Sequence, residues 1–247
     1  MNASLGDVDV AAIKILWQEL EPEVSRAAFL EQAAQTVTRG LFESYAGSVA
    51  LARAFVTVPL DGLPDSNQAW VRGLAGRAGV ESALEPSTPI LSLIGSYGAE
   101  ESWRDRRRSE GHVGIPLVSA SFVDGIPMVA RLLQQLGMEL DWLGRGDTDI
   151  IARVLGSSSG VFFVAEAAQE TDRKGRKVIA AQEFVARHRI RSVFGFGGAY
   201  FGGSIITFIL FCTRAIERTV AQRFAPLVNL FKAATVSLAG STSVFAD

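Results

Sequence analysis

A chain of 247 residues, 48% of them hydrophobic and 20% charged, has material for an ample core and is not disordered. Its formal net charge of −2 argues against a partner held through a phosphate backbone, which calls for a marked basic excess. A lone cysteine excludes an intramolecular disulfide, the first residues lack the basic and apolar regions of a signal peptide, and no apolar run nears the ~18 residues of a membrane span. The expectation is a cytoplasmic protein with neither nucleic acid nor membrane as partner.

In chain order, residues 10–20 place Ile13, Leu16, Trp17 and Leu20 at helical spacing, with Pro22 expected to stop the helix. Ser25 is a candidate N-cap for a second helix reaching about Tyr45, with a stripe of Ala28, Phe29, Ala33, Val37, Leu41 and Phe42. Residues 48–58 then alternate loosely and read as a strand ended by Pro59. Residues 64–79 predict a short helix carrying Trp70 and Leu74, and residues 90–94 a strand.

Beyond a charged segment, 122–136 predicts a helix closed by Gly137. A strand at 161–164, a charged loop at 170–177 turning on Gly175 and one or two helical turns at 182–188 follow. Strands at 190–196 and 204–212 form a hairpin joined by the glycine-rich residues 197–203. The second of these is apolar on both faces, as at the centre of a covered sheet. Thr213 is a candidate cap for a final helix over 215–238, kinked at Pro226, and the tail after residue 239 is expected to be loose. This order describes an α+β domain, an antiparallel sheet of five or six strands with helices on one face and loops on the other.

Residues 100–117 concentrate the polar chemistry: four arginines, four acids, Trp103 and His112. Their bland reading is a solvated loop held by exposed ion pairs, which contribute little. The functional reading turns one or two arginines inward to fork onto a carboxylate or phosphate. His112 either orders the loop through a backbone carbonyl or touches a ligand, whereas His188, among Arg187, Arg189 and Arg191, reads as a surface residue. The glycines at 195, 197, 198, 202 and 203 are followed by a strand rather than a helix, so they read as a hairpin and not as a phosphate loop. No serine or cysteine nucleophile motif and no metal-ligand spacing occurs, so no enzyme, catalytic residue or metal is expected.

Three segments resemble bacterial GAF-like sensory domains of the kind that precede histidine kinases and other output domains. They are residues 103–117 (Trp-x-Asp-Arg-Arg, then Ser-x-Gly-His-x-x-Ile-Pro-Leu), residues 190–210 (Ile-Arg-Ser-Val-x-Gly-Phe-Gly-Gly, then the apolar strand) and the final amphipathic helix. The resemblance implies a GAF- or PAS-like sheet over residues 25–238, with residues 1–24 a helical extension and 239–247 a flexible tail. It also implies a sensory role, and it brings no known ligand, cofactor or catalytic residue. With no output domain expected after residue 238, either signalling passes through a separate partner or the chain is a stand-alone regulator. The expected ligand is a small anion contacted by Arg106 or Arg107 with Asp105 and His112, against an apolar wall made by Trp103. Its binding is expected to tighten from about pH 8 to pH 6 as His112 is protonated. The apolar stripes of the terminal helices are expected either to pair two copies or to cover the sheet of one.

Overall fold

The computed structural model describes residues 5–138, 140, 143, 159–238 and 243–246. Its strands are β1 (Val49–Pro59), β2 (Pro89–Gly98), β3 (Gly114–Pro116), β4 (Ser159–Val164), β5 (Ser192–Ala199) and β6 (Ile205–Cys212). They form one antiparallel sheet in the order β3-β2-β1-β6-β5-β4. The central strand β1 sets the register, with Arg53 opposite Ser96 on one side and Ile209 on the other.

The period of two along each strand divides the molecule into two cores. On the first face, Ala52, Ala54 and Val56 of β1 join Ile206, Phe208 and Leu210 of β6. Four helices cover them: α1 (Val10–Val24), α2 (Leu30–Ser44) and, from the C-terminal end, Arg218–Arg223 and Ala225–Ala234. Phe224, between the last two, lies 5.2 Å from the ring of Phe194 and 5.8 Å from that of Phe196. α2 packs closely enough on β2 that a Cβ at Gly95 would meet the Ala34 backbone at 2.9 Å.

On the second face, Leu51 and Phe55 of β1 join Ile209 and Phe211 of β6. The expectation of loops alone on this side is incomplete. Short helices α4 (Ala120–Asp124), α5 (Pro127–Gln135) and α6 (Gln182–Arg187) also cover it, while α3 (Asp65–Arg77) lies by the β3 edge. β6 is buried throughout its length, as its double-sided apolar pattern requires.

Several boundaries differ from expectation. α1 runs through Pro22 to Val24, because its apolar spacing continues to the buried Val24. Its last turn is held by bonds that do not need the missing Pro22 N–H: Ser25 N–H donates to Glu21 O, and Arg26 Nε donates to the Pro22 carbonyl. Ser25 therefore caps the end of α1, and α2 starts five residues later, after an extended Phe29.

The helix expected over 122–136 is two helices. Pro127 holds Ile126 out of the helical region and opens α5 at its first turn. The C-terminal helix is also divided, into α7 (Arg218–Arg223), which follows an extended Glu217 rather than Thr213, and α8 (Ala225–Ala234), whose first turn holds Pro226, with Phe224 between them still in the helical region. β3 lies inside the charged segment; three residues ending in proline carry no readable alternation. Gly197 and Gly198 belong to β5, and the hairpin turns at Gly202 and Gly203, both at positive φ. The described part of the tail, 243–246, is docked rather than loose. Val244 and Phe245 are buried, and the Val244 carbonyl accepts from Glu31 N–H.

Candidate functional site

The second face of the sheet is not filled. Between β1, β6, the start of α5, α6 and the segment 100–112 lies a cavity of about 610 Å³. Its walls are mostly apolar, with Leu51 and Phe55 on β1, Ile209 and Phe211 on β6 and Phe184 on α6. Volume and lining are those of small-molecule sites.

Arg53 stands between Leu51 and Phe55 on the same strand face, so the pleat aims its side chain into this apolar space. Its Nη1 donates to the Gly111 carbonyl at 3.2 Å and its Nη2 to Ser109 Oγ at 3.1 Å. Its Nε is buried and has no partner, and among the described residues no carboxylate forms an ion pair with it. Burial lowers the pKa of the group to about 10 from 12.5, which leaves it charged at neutral pH. An orphaned buried donor costs roughly 1–3 kcal/mol, more when it is charged.

The segment that closes the cavity is pinned to the sheet at several points. Gln35 of α2 reaches across to Ser96, accepting from its N–H at 3.0 Å and donating to its carbonyl at 2.9 Å and to that of Arg104 at 3.0 Å. Ser96 Oγ in turn donates to the Trp103 carbonyl at 2.8 Å. The indole lies directly over Gly98, where an added Cβ would meet Trp103 Cε3 at 2.8 Å, so only a glycine leaves room for it. The ring then packs edge-on against His188 at 4.6 Å and Phe184 at 5.6 Å, making an aromatic wall.

His112 lines the cavity mouth and holds the left-handed conformation, with φ of 58°. Gly111 just before it is clamped by both Arg53 and Ser109, whose hydroxyl donates to the same carbonyl at 2.8 Å. Desolvation, and then the charge of Arg53, hold the pKa of His112 below its ordinary 6.5. The neutral imidazole is therefore favoured at pH 7, and its protonation is displaced to lower pH than that of a free histidine.

The segment does not deliver all its arginines to this space. Trp103 and His112 line the cavity, but Asp105, Arg106 and Arg107 line a separate groove against α2, on the first face. There Arg106 is buried in an ion pair with Glu31 of α2, and its guanidinium lies over the Phe245 ring at 4.8 Å. Asp105 accepts from the Arg107 N–H at 2.9 Å and caps a short helical turn. Arg107 itself is 60% exposed, with its Nε 3.5 Å from Asp105. Two residues not anticipated replace them at the cavity. One is Arg53, whose signal is a lone charge in an apolar strand. The other is His188, whose side chain is only 15% exposed and lies 3.9 Å from Glu100. The flanking arginines that suggested a surface position say nothing about the aromatic contacts.

Among the described residues no group of His, Cys, Asp and Glu is placed to hold a metal ion, and no helix is long and apolar enough to cross a membrane. Cys212 lies in the first core, on the face away from the cavity, and burial pushes its thiol well above the usual range.

In sequence, no protein-family model and no curated protein matches this chain. Solved structures similar to it include the free methionine-R-sulfoxide reductase of Neisseria meningitidis in complex with its substrate (10% identity, TM-score 0.48, covering 96% of this chain and 98% of that one). The GAF domain of a phosphoenolpyruvate-protein phosphotransferase from Coxiella burnetii is another (11% identity, TM-score 0.45, 93% and 96% covered). A third is the phycoerythrobilin-bound GAF domain of a cyanobacterial phytochrome (11% identity, TM-score 0.47, 92% and 95% covered). The fold of this chain is an α+β domain built on a six-stranded antiparallel sheet with flanking helices.

Proposed function

We propose that this chain is a sensory or regulatory module that binds a small molecule in the cavity beside residues 100–112 and passes its occupancy to a signalling partner such as a histidine kinase. The observation that carries this reading is the pairing of a 610 Å³ space with a buried guanidinium whose Nε has no partner. A packing defect would be lined by apolar groups alone, because an unsatisfied buried charge lowers stability with no structural return. We read the role as one of binding; the one thiol is protonated, lies on the other face and supplies no nucleophile to this cavity.

Native mass spectrometry of freshly purified protein, with its absorption spectrum, tests the reading. A non-covalent mass excess that disappears on denaturation is expected. A bare chain, together with no thermal shift across a library of small acids and neutral compounds, removes it.

A second reading, an interaction module that pairs two copies, has one observation in its favour. α1 and α8 pack against each other and leave Val10, Ile15 and Leu230 exposed. The main stripes, including Leu16, Trp17, Leu227 and Phe231, are already used in covering the chain's own sheet. Light scattering that shows only monomer at micromolar concentration removes the homodimer.

A further inference from the structure

We infer that the ligand of this cavity is a monoanionic carboxylic acid with an apolar, ring-sized body, and that Arg53 is its anchor. The inference rests on the binding reading above and specifies the class of molecule.

The inventory of polar groups limits the charge. One cationic side chain, Arg53, is placed within the apolar wall, and two of its three nitrogens are already engaged by Gly111 and Ser109. Each Nη keeps a second N–H beyond the bond it makes, so the guanidinium that lines the cavity retains donors for one small acid. Glu100 and Glu110 also line the cavity, and they disfavour a second negative charge. Arg108 and Arg187 line it too, but Arg187 is exposed, and the Arg108 side chain is 57% exposed and is turned to Glu101 at 3.4 Å. A phosphate dianion, with three oxygens to satisfy, finds neither a glycine loop leading into a helix nor a cluster of buried donors. α5 adds a weaker term of the same sign. Its first residues, Pro127, Met128 and Val129, form part of the wall, so the positive end of the helix is directed at the same space.

The remaining wall limits the body. Trp103, Phe184, Phe211 and Phe55 present aromatic faces and edges, and Leu91, Ile115, Met128 and Ile209 present aliphatic surface. The polar side chains of the lining other than Arg53 lie on residues 100–112 and the end of α6, and the wall made by the sheet and α5 is otherwise apolar, so the donors and acceptors of a sugar or nucleobase set against it would be desolvated without compensation. An aryl or alicyclic acid buries its body against the wall and leaves one polar end at Arg53.

The test compares an acid with its neutral isostere, 2-naphthoate against 2-naphthamide, by calorimetry on the full chain. The intact protein is expected to bind the acid about tenfold or more tightly than the amide, the difference that one charge-assisted hydrogen bond confers. In Arg53→Met that preference is expected to disappear, while the amide binds as before. Gluconate, an acid with a polar body, is expected to bind at least about tenfold more weakly than naphthoate.

Equal binding of acid and amide by the intact protein overturns the inference and leaves the cavity reading standing. A preference that survives in Arg53→Met overturns the anchor. Tighter binding of gluconate than of naphthoate overturns the apolar body. Failure of both naphthalene probes to bind overturns the inference, and the cavity reading falls with it only if the native mass is bare and the library gives no thermal shift. The comparison in the intact protein needs no variant, so it decides the matter even if Arg53→Met does not fold.

Discussion

Arg53 and Arg106 lie on opposite faces of one sheet, and both withdraw a guanidinium from water. Arg106 is met by Glu31, whose other oxygen accepts from Ala246 N–H, and it is covered by Phe245. Among the described residues Arg53 has two neutral acceptors, no carboxylate in an ion pair and an enclosed Nε without a partner, and it lines an open cavity. A buried charge with its counter-charge ties α2, the 100–112 segment and the tail into one unit. A buried charge without one leaves a place for a ligand. The richest arginine cluster in the sequence thus serves mainly the architecture, and a solitary arginine in a strand marks the candidate site.

Removing the partner of the satisfied arginine is the most direct way to break this contrast. Glu31→Ala removes the carboxylate that meets the buried Arg106 and deprives the Ala246 N–H of its acceptor, so it should cost about 3–5 kcal/mol in urea denaturation. Arg53→Met replaces an unmatched charge by an apolar chain of similar length and should leave stability unchanged or raise it. Arg107→Ala, at an exposed position, should stay within about 0.5 kcal/mol. Losses of equal size from Glu31→Ala and Arg53→Met would abolish the distinction.

A smaller effect is expected where the segment meets the sheet. The methyl of Gly98→Ala enters the space of Trp103 Cε3 and of the Ala50 carbonyl, each at 2.8 Å. Overpacking of this kind costs about 1–3 kcal/mol. The indole should move away from His188 and Phe184, which a change in tryptophan emission will report. An unchanged spectrum with full stability would show that the aromatic wall does not depend on this contact.

The smallest effect is a pH dependence that His112 confers on the cavity side alone. Its pKa in the folded chain lies below the 6.5 of the free group, first through desolvation and then through Arg53. The unfolded chain therefore takes up the proton first, and stability should fall as pH drops below about 6.5 towards the folded value. His112→Gln should flatten that part of the profile. Arg53, Arg108, Arg187, Glu100, Glu110 and His188 share the cavity lining with His112. A bound carboxylate near Arg53 should raise the pKa of His112, so naphthoate affinity should increase as pH falls through this range. An NMR titration of the imidazole with and without naphthoate checks the sign, and a downward shift on binding would contradict it.

Much of the fold was legible in the residues themselves. The alternation over 48–58, the two-sided apolar run before Cys212 and the glycine-rich hairpin place the central strands correctly, because strand periodicity is a local property. Helix ends were less legible. Pro22 and Pro127 look alike as breakers, yet α1 passes through the first and the second opens α5, a choice made by buried neighbours such as Val24. At the candidate site, composition pointed to residues 100–117, and of the residues singled out there Trp103 and His112 line the cavity. It had no means of assigning each arginine to a face of the sheet. Spacing along the chain tells which side of its own strand or helix a residue occupies. What covers that side is decided by contacts between residues far apart, 56 positions for Arg53 and Ser109 and 75 for Arg106 and Glu31. Whether a buried charge meets a carboxylate or an empty space is therefore settled only in the tertiary structure.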